Sequence, residues 1–247
     1  ECPDMSRVYG GEMTDGRRMG AFWDARARED ALFFVDDRRA YGSEELESFW
    51  AGGERDLDAV LAAVGARVEP HEVVVDLGCG VGRLTRVLAG RARGVRAIDV
   101  SSEMLSRAGE LNVHLANVEW ILGDGLSLDG IGDESVDAVI SHVVFQHIPD
   151  PTVTLGYVAE IGRVLRPGGW AAFQLSSDPH VHRRRPGVKR RVAAAVGRAP
   201  QGQDRPEWLG SAVDLAALRH VAQANAMAVT AVAHPGTQFS VVRLEHS

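Results

Sequence analysis

The sequence predicts an α/β domain built on a largely parallel sheet with helices on both faces. A Val-rich segment without polar alternation, 72–75, runs into a carboxylate and three alternate glycines: Val73-Val74-Val75-Asp76-Leu77-Gly78-Cys79-Gly80-Val81-Gly82. Further short apolar segments follow, one of them also ending on an acid, Val95-Arg96-Ala97-Ile98-Asp99. Stretches of helical composition separate these segments, which is the order expected of parallel strands joined by crossover helices.

Residues 1–70 alternate charged residues with the aromatic pairs Phe22-Trp23, Phe33-Phe34 and Phe49-Trp50, and read as a helical or irregular extension. Within it, Leu57, Val60, Leu61 and Val64 keep helical spacing, so 54–66 is expected to form a helix packed on the sheet. The first strand lacks a polar face, as a strand covered on both sides should. The glycines after it let the backbone turn tightly and approach a ligand. Arg83-Leu84-Thr85-Arg86-Val87-Leu88-Ala89 then reads as a helix whose free N–H groups point back at the loop.

Val95 to Asp99 forms the second strand, Trp120-Ile121-Leu122 the third, turning through Gly123-Asp124-Gly125, and Val136-Asp137-Ala138-Val139-Ile140 the fourth. Asp150-Pro151 starts a helix, with the acid at the cap and proline in the first turn. Arg163-Val164-Leu165-Arg166-Pro167-Gly168-Gly169 ends it, because Pro167 cannot continue a helix, and 170–175 is the fifth strand. Ser211-Ala212-Val213-Asp214 has capping-box form ahead of the apolar stripe Leu215, Leu218 and Val221. Two last strands flank His234-Pro235-Gly236 as a hairpin.

A dinucleotide site requires G-x-G-x-x-G, but Arg83 stands where the third glycine would fall, and the spacing found is G-x-G-x-G. Joined to the acid closing the first strand, it resembles motif I of the class I S-adenosylmethionine-dependent methyltransferases. Asp99, about twenty residues on, stands where a carboxylate can take both ribose hydroxyls, a feature NAD enzymes share. The resemblance runs from Val73 to Leu175. It implies a Rossmann-like fold with a mostly parallel seven-stranded sheet ending in an antiparallel hairpin. It also implies S-adenosyl-L-methionine as cofactor, held by Asp76, Gly78, Cys79, Gly80, Gly82, Asp99, Val100, Met104, Gly123, Asp124, Gly125 and Ser141. Asp124 would receive the adenine amino group, although Gly-Asp-Gly is also ordinary turn chemistry.

At 247 residues the chain suits one methyltransferase domain, 1–247, with a cofactor-binding core at 71–176, a basic insertion at 177–211 and a C-terminal helix and hairpin at 212–247. A net charge of −7 argues against nucleic acid, which needs phosphate neutralisation, and favours a small-molecule acceptor. Only Cys2 and Cys79 are present, and there is neither a signal-peptide pattern nor an apolar run of about eighteen residues. A cytoplasmic protein without membrane association is expected; self-association is compatible with the sequence.

Methyl transfer to a hydroxyl needs alignment of the acceptor and a base near neutral pH, for which histidine is suited. Ser141-His142-Val143-Val144-Phe145-Gln146-His147 follows the fourth strand, at the carboxyl edge where ligands sit in open α/β sheets. His147 and His142 are therefore the candidate catalytic bases, with Gln146 a candidate acceptor ligand. The Asn-Pro-Pro-Tyr signature of many amino-methylating enzymes is absent. Together with the histidines, this favours O-methylation of a small metabolite, and in its extensions and loops the chain resembles small-molecule O-methyltransferases, including those acting on sugars. Trp23 and Phe34 are candidate pocket residues if the extension acts as a lid. The basic run His180 to Arg191 offers Arg183 to the acceptor if the insertion does the same. No spacing marks a metal site. The alternatives are N- or C-methylation, an NAD-dependent oxidoreductase, and a binding protein without catalysis.

Overall fold

The computed structural model describes residues 15–183 and 187–247. Cys2 and the arginines at 184 and 185 lie outside the described residues.

Seven strands form one sheet: β1 (Val73–Leu77), β2 (Gly94–Asp99), β3 (Val118–Leu122), β4 (Val136–Ser141), β5 (Leu165–Leu175), β6 (Met227–Ala233) and β7 (Ser240–His246). Their order is β3-β2-β1-β4-β5-β7-β6. The first five strands run parallel, while β7 is antiparallel to both neighbours, so the hairpin closes the sheet as the fold class predicts.

Side chains alternate across the sheet, and each face has its own apolar cluster. Val75, Val139, Ala171 and Phe173 face α5 (Pro151–Val164) and α8 (Leu215–Ala224), which present Val158, Ile161 and Leu218. Val74, Ala138, Ile140 and Ala172 face α2 (Leu46–Ala63) and α3 (Arg83–Ala89), which present Leu57, Val60, Leu61 and Leu88. Covering β1 on both sides explains why its sequence carries no polar alternation.

The extension forms α1 (Asp15–Val35) and α2, which begins at Leu46, well before the expected start at 54, and ends at Ala63. Asp30 interrupts α1 with non-helical backbone. Its carboxylate accepts from Phe33 N at 3.0 Å and Gly42 N at 2.6 Å, so it caps the shorter second half. A third cluster joins Ala27, Phe33 and Phe34 of α1 to Phe49, Val81 and Met104. Met104 belongs to α4 (Ser102–Leu111).

Three local expectations differ. The cap of α8 is Asp214, which accepts from Ala216 N and Ala217 N at 2.8 Å; Ser211 instead donates to the Ile148 carbonyl. β5 starts at Leu165, paired with Val136, and an irregularity in the β4–β5 pairing falls before Trp170 resumes it. Pro167 and its glycines thus lie in the strand's irregular part rather than in a connection. The insertion contains a 3₁₀ turn, Val181–Arg183, and two helices, α6 (Val188–Ala195) and α7 (Pro206–Leu209).

Candidate active site

The order reverses between β1 and β4, and such a switch point opens a crevice at the carboxyl ends of the strands. A cavity occupies that place. Its wall includes Asp76 of β1 and Gly78, Cys79 and Gly80 after it, Asp99 at the end of β2 and Val100 after it, Met104, Gly123 and Gly125, and His142 and His147 after β4.

The glycine loop owes its shape to backbone chemistry. Gly78, Gly80 and Gly82 have φ of 75°, 54° and 84°, a region costly for residues with a Cβ. A Cβ on Gly78 would also come within 2.2 Å of the Val144 side chain, so glycine lets the β4 loop close against β1. The Gly78 and Cys79 N–H groups both donate to the Ile98 carbonyl, at 2.8 and 3.1 Å, which folds the loop over the end of β2.

Both strand-terminal acids are enclosed. Asp99 accepts from Gly80 N at 2.8 Å and Ser101 N at 2.9 Å, leaving further acceptor capacity on each oxygen. Burial nevertheless raises its pKa. Asp76 accepts from Thr85 Oγ1 at 2.6 Å, and burial pushes it up to about 6. A buried acid and a part-buried one beside a glycine loop suit a ligand that supplies hydroxyl and ammonium donors, as the ribose and amino acid ends of S-adenosylmethionine do. Burial also raises the Cys79 thiol well above its ordinary range, which keeps it neutral in the wall.

Helix α1 supplies another wall with Met19, Trp23, Phe34 and Val35. Asp24 fastens it, accepting from Ser101 Oγ at 2.7 Å and Glu103 N at 3.0 Å at the start of α4. Burial opposes its ionisation, but these bonds and Arg28 hold it below the usual carboxylate range.

The histidines differ in their partners. His147 Nδ1 lies 2.8 Å from the Trp208 carbonyl, which only accepts, so this nitrogen carries the proton. Its Nε2 faces the Gln146 amide nitrogen at 3.4 Å, and Gln146 is itself held by Gln174 at 2.8 Å. Burial lowers the His147 pKa, favouring the neutral ring. His142 Nε2 stands 3.7 Å from Asp56 Oδ2. Its Nδ1 is buried without a hydrogen-bond partner among the described residues.

Several sequence-predicted residues are not among those lining the cavity. The Asp124 carboxylate accepts from Leu126 N and Ser127 N at 2.8 Å and from Ser127 Oγ at 3.0 Å, so it stabilises its own turn; Gly123 and Gly125 form the wall there. Ser141 donates to the Leu77 carbonyl at 2.9 Å and ties β4 to the end of β1. Gly82 packs against Asn112 and Trp120, and Gln146 is buried behind His147. Arg183 is exposed. The insertion instead reaches the site through the Trp208 carbonyl.

Sequence reasoning missed the charged wall. Arg83, noted only for interrupting a glycine pattern, lines the cavity with 3% of its side chain exposed. Its Nη1 lies 2.6 Å from Asp56 and 3.7 Å from Asp36. Arg38 closes the network with bonds of 2.6 and 2.9 Å to Asp36 and of 2.6 and 3.0 Å to Asp56. Burial would raise Asp56, yet His142, Arg38 and Arg83 together drive it far below the carboxylate range. No described group of His, Cys, Asp and Glu could hold a metal ion, and no described helix is long and apolar enough to cross a membrane.

Residues 75–173 match the family model described as a methyltransferase domain. Phosphoethanolamine N-methyltransferase 1 of Caenorhabditis elegans is 31% identical over 144 residues, 58% of this chain and 28% of that protein. Trans-aconitate 2-methyltransferase of Deinococcus radiodurans is 36% identical over 130 residues, 52% of this chain and 45% of that protein. The chain therefore spans less than half the length of the curated relatives it matches. Among solved structures, Haemonchus contortus phosphoethanolamine N-methyltransferase 1, with phosphoethanolamine and S-adenosylhomocysteine bound, superposes with a TM-score of 0.65 at 17% identity, covering 93% of this chain and 48% of that one.

Proposed function

We propose that this chain, a class I methyltransferase domain whose methyl donor is S-adenosylmethionine, methylates a hydroxyl of a small metabolite, with a histidine from the β4–α5 loop as general base. The observation that carries the reading is a single cavity lined by the glycine loop and Asp99, by two imidazoles, and by Trp23 and Phe34.

In that arrangement each part has a physical task. Asp99 holds the ribose hydroxyls and the glycine loop approaches the amino acid end. The bound cofactor supplies an electrophilic methyl group. The aromatic wall from α1 excludes water and stacks on a flat acceptor or on the C–H face of a sugar. Alignment contributes most of the rate, since the displacement is in line and needs no group beyond a proton acceptor.

The reading is tested with S-adenosylhomocysteine in calorimetry and with a panel of phenols, sugars and amines, read as methylated product. Asp99→Ala is expected to weaken S-adenosylhomocysteine at least tenfold. Unchanged affinity would remove the cofactor assignment, and methylation confined to the amines would remove the hydroxyl acceptor. Thermal protection by NADH but not by S-adenosylhomocysteine would favour the oxidoreductase.

A further inference from the structure

We propose that His142, oriented by Asp56, takes the acceptor's proton, and that His147 is a positioning residue beside it. The proposal rests on the methyltransferase reading above and decides which imidazole acts.

The two rings share the cavity but not their hydrogen bonding. His147 is engaged at both nitrogens, by the Trp208 carbonyl and by a Gln146 amide that Gln174 holds in place. His142 has one nitrogen near a carboxylate and the other buried without a partner among the described residues. Asp56 only accepts, so Nε2 of His142 carries the proton and Nδ1 keeps a lone pair in the cavity wall. A buried acceptor without a donor is destabilising, and a ligand hydroxyl is the group that relieves it. The 3.7 Å separation is longer than a hydrogen bond, as is common for catalytic contacts before the reacting complex forms.

Asp56 suits the task because it stays charged. Arg38 from the α1–α2 connection and Arg83 from α3 bond to it, and Asp36 balances the second guanidinium. The charged groups around His142 are thus Asp56, Asp36, Arg38 and Arg83, with Asp76 and Asp99 in the same cavity. In the reaction the acceptor oxygen bonds to the methyl carbon, and the carbon–sulfur bond breaks with its electron pair left on sulfur. The hydroxyl proton passes to Nδ1 of His142. The imidazolium so formed faces the Asp56 carboxylate, and its proton leaves to solvent after the product.

The test uses the whole chain with histidine ring nitrogens labelled for NMR, S-adenosylhomocysteine bound, and phenol as the hydroxyl probe. His142 is expected as the Nε2–H tautomer, and phenol should shift its Nδ1 signal, in the native chain and in His147→Gln alike. Asp56→Asn should move the His142 Nε2–H signal and weaken the preference for that tautomer. If that variant does not fold, Arg38→Gln carries the test: its side chain is 61% exposed, and releasing Asp56 from one cation should move the His142 Nε2–H signal. A proton on Nδ1, an Nε2–H signal unmoved in the variants that fold, or a phenol-insensitive Nδ1 overturns the proposal. So does an Nδ1 already occupied by S-adenosylhomocysteine, which would make His142 a cofactor ligand. All of these leave the methyltransferase reading intact, whereas a native chain that binds no S-adenosylhomocysteine overturns both.

Discussion

At the scale of single residues, Asp76 shows how a buried acid beside a glycine loop stores instability. Its folded pKa of about 6 exceeds the unfolded value of about 3.9, so the folded state holds a proton there that the unfolded chain has released. The sign follows from the excess proton: this contribution to stability is full below about pH 4 and is lost as pH rises through about 6, a difference of about 3 kcal/mol. Asp76→Asn should therefore flatten the fall in stability between pH 5 and 7 and raise the thermal midpoint of the ligand-free chain at pH 7.5, while weakening S-adenosylhomocysteine. Unfolding curves across that pH range check it. Asp76 was legible in the sequence because a strand-terminal acid before alternate glycines is a local pattern. Asp124 had the same local look, but its turn offers two N–H groups and a hydroxyl to its carboxylate, and those satisfy it.

At the scale of elements, α2 and α3 meet at a helix position without a side chain. A Cβ on Gly53 would come within 2.6 Å of the Arg83 carbonyl oxygen and 2.9 Å of its Cγ. Gly53→Ala would gain about 1 kcal/mol of helix propensity in isolation. Overpacking should outweigh that gain and leave a net loss of about 1–3 kcal/mol, because Arg83 anchors the charged wall and cannot retreat. Denaturant unfolding measures it, and a stabilised variant would contradict the packing. Asp24→Ala tests the other seam: losing the bonds to Ser101 and Glu103 should cost about 1 kcal/mol and speed hydrogen exchange along α1. Neither seam was legible. The helix over 54–66 could be read from its apolar stripe, whereas α1 and the first turns of α2 bury aromatic residues at irregular intervals and show no clean period.

At the scale of the whole molecule, the cavity exists because the strand order reverses beside β1. The glycine loop, the acid after β2 and the loop after β4 are far apart in sequence and adjacent only through the parallel pairing of β1 with β2 and β4. A ligand that binds only the folded chain stabilises it by mass action, so S-adenosylhomocysteine at a hundred times its dissociation constant should add about 2.7 kcal/mol, read as a rise in thermal midpoint that Asp99→Ala, at the same ligand concentration, cuts to about half or less.

By itself the sequence determined the glycine loop and the sheet that carries it. Positive-φ glycines, apolar strands and strand-terminal acids are constraints on neighbouring residues, and neighbours are what a sequence records. Only the tertiary structure decided which histidine keeps a free nitrogen, why Arg83 matters, and that α1 walls the cavity. Those outcomes depend on which donors and acceptors meet after distant elements pack, and Asp56 comes near His142 because α2 packs on the face of the sheet that carries Ala138 and Ile140 of β4.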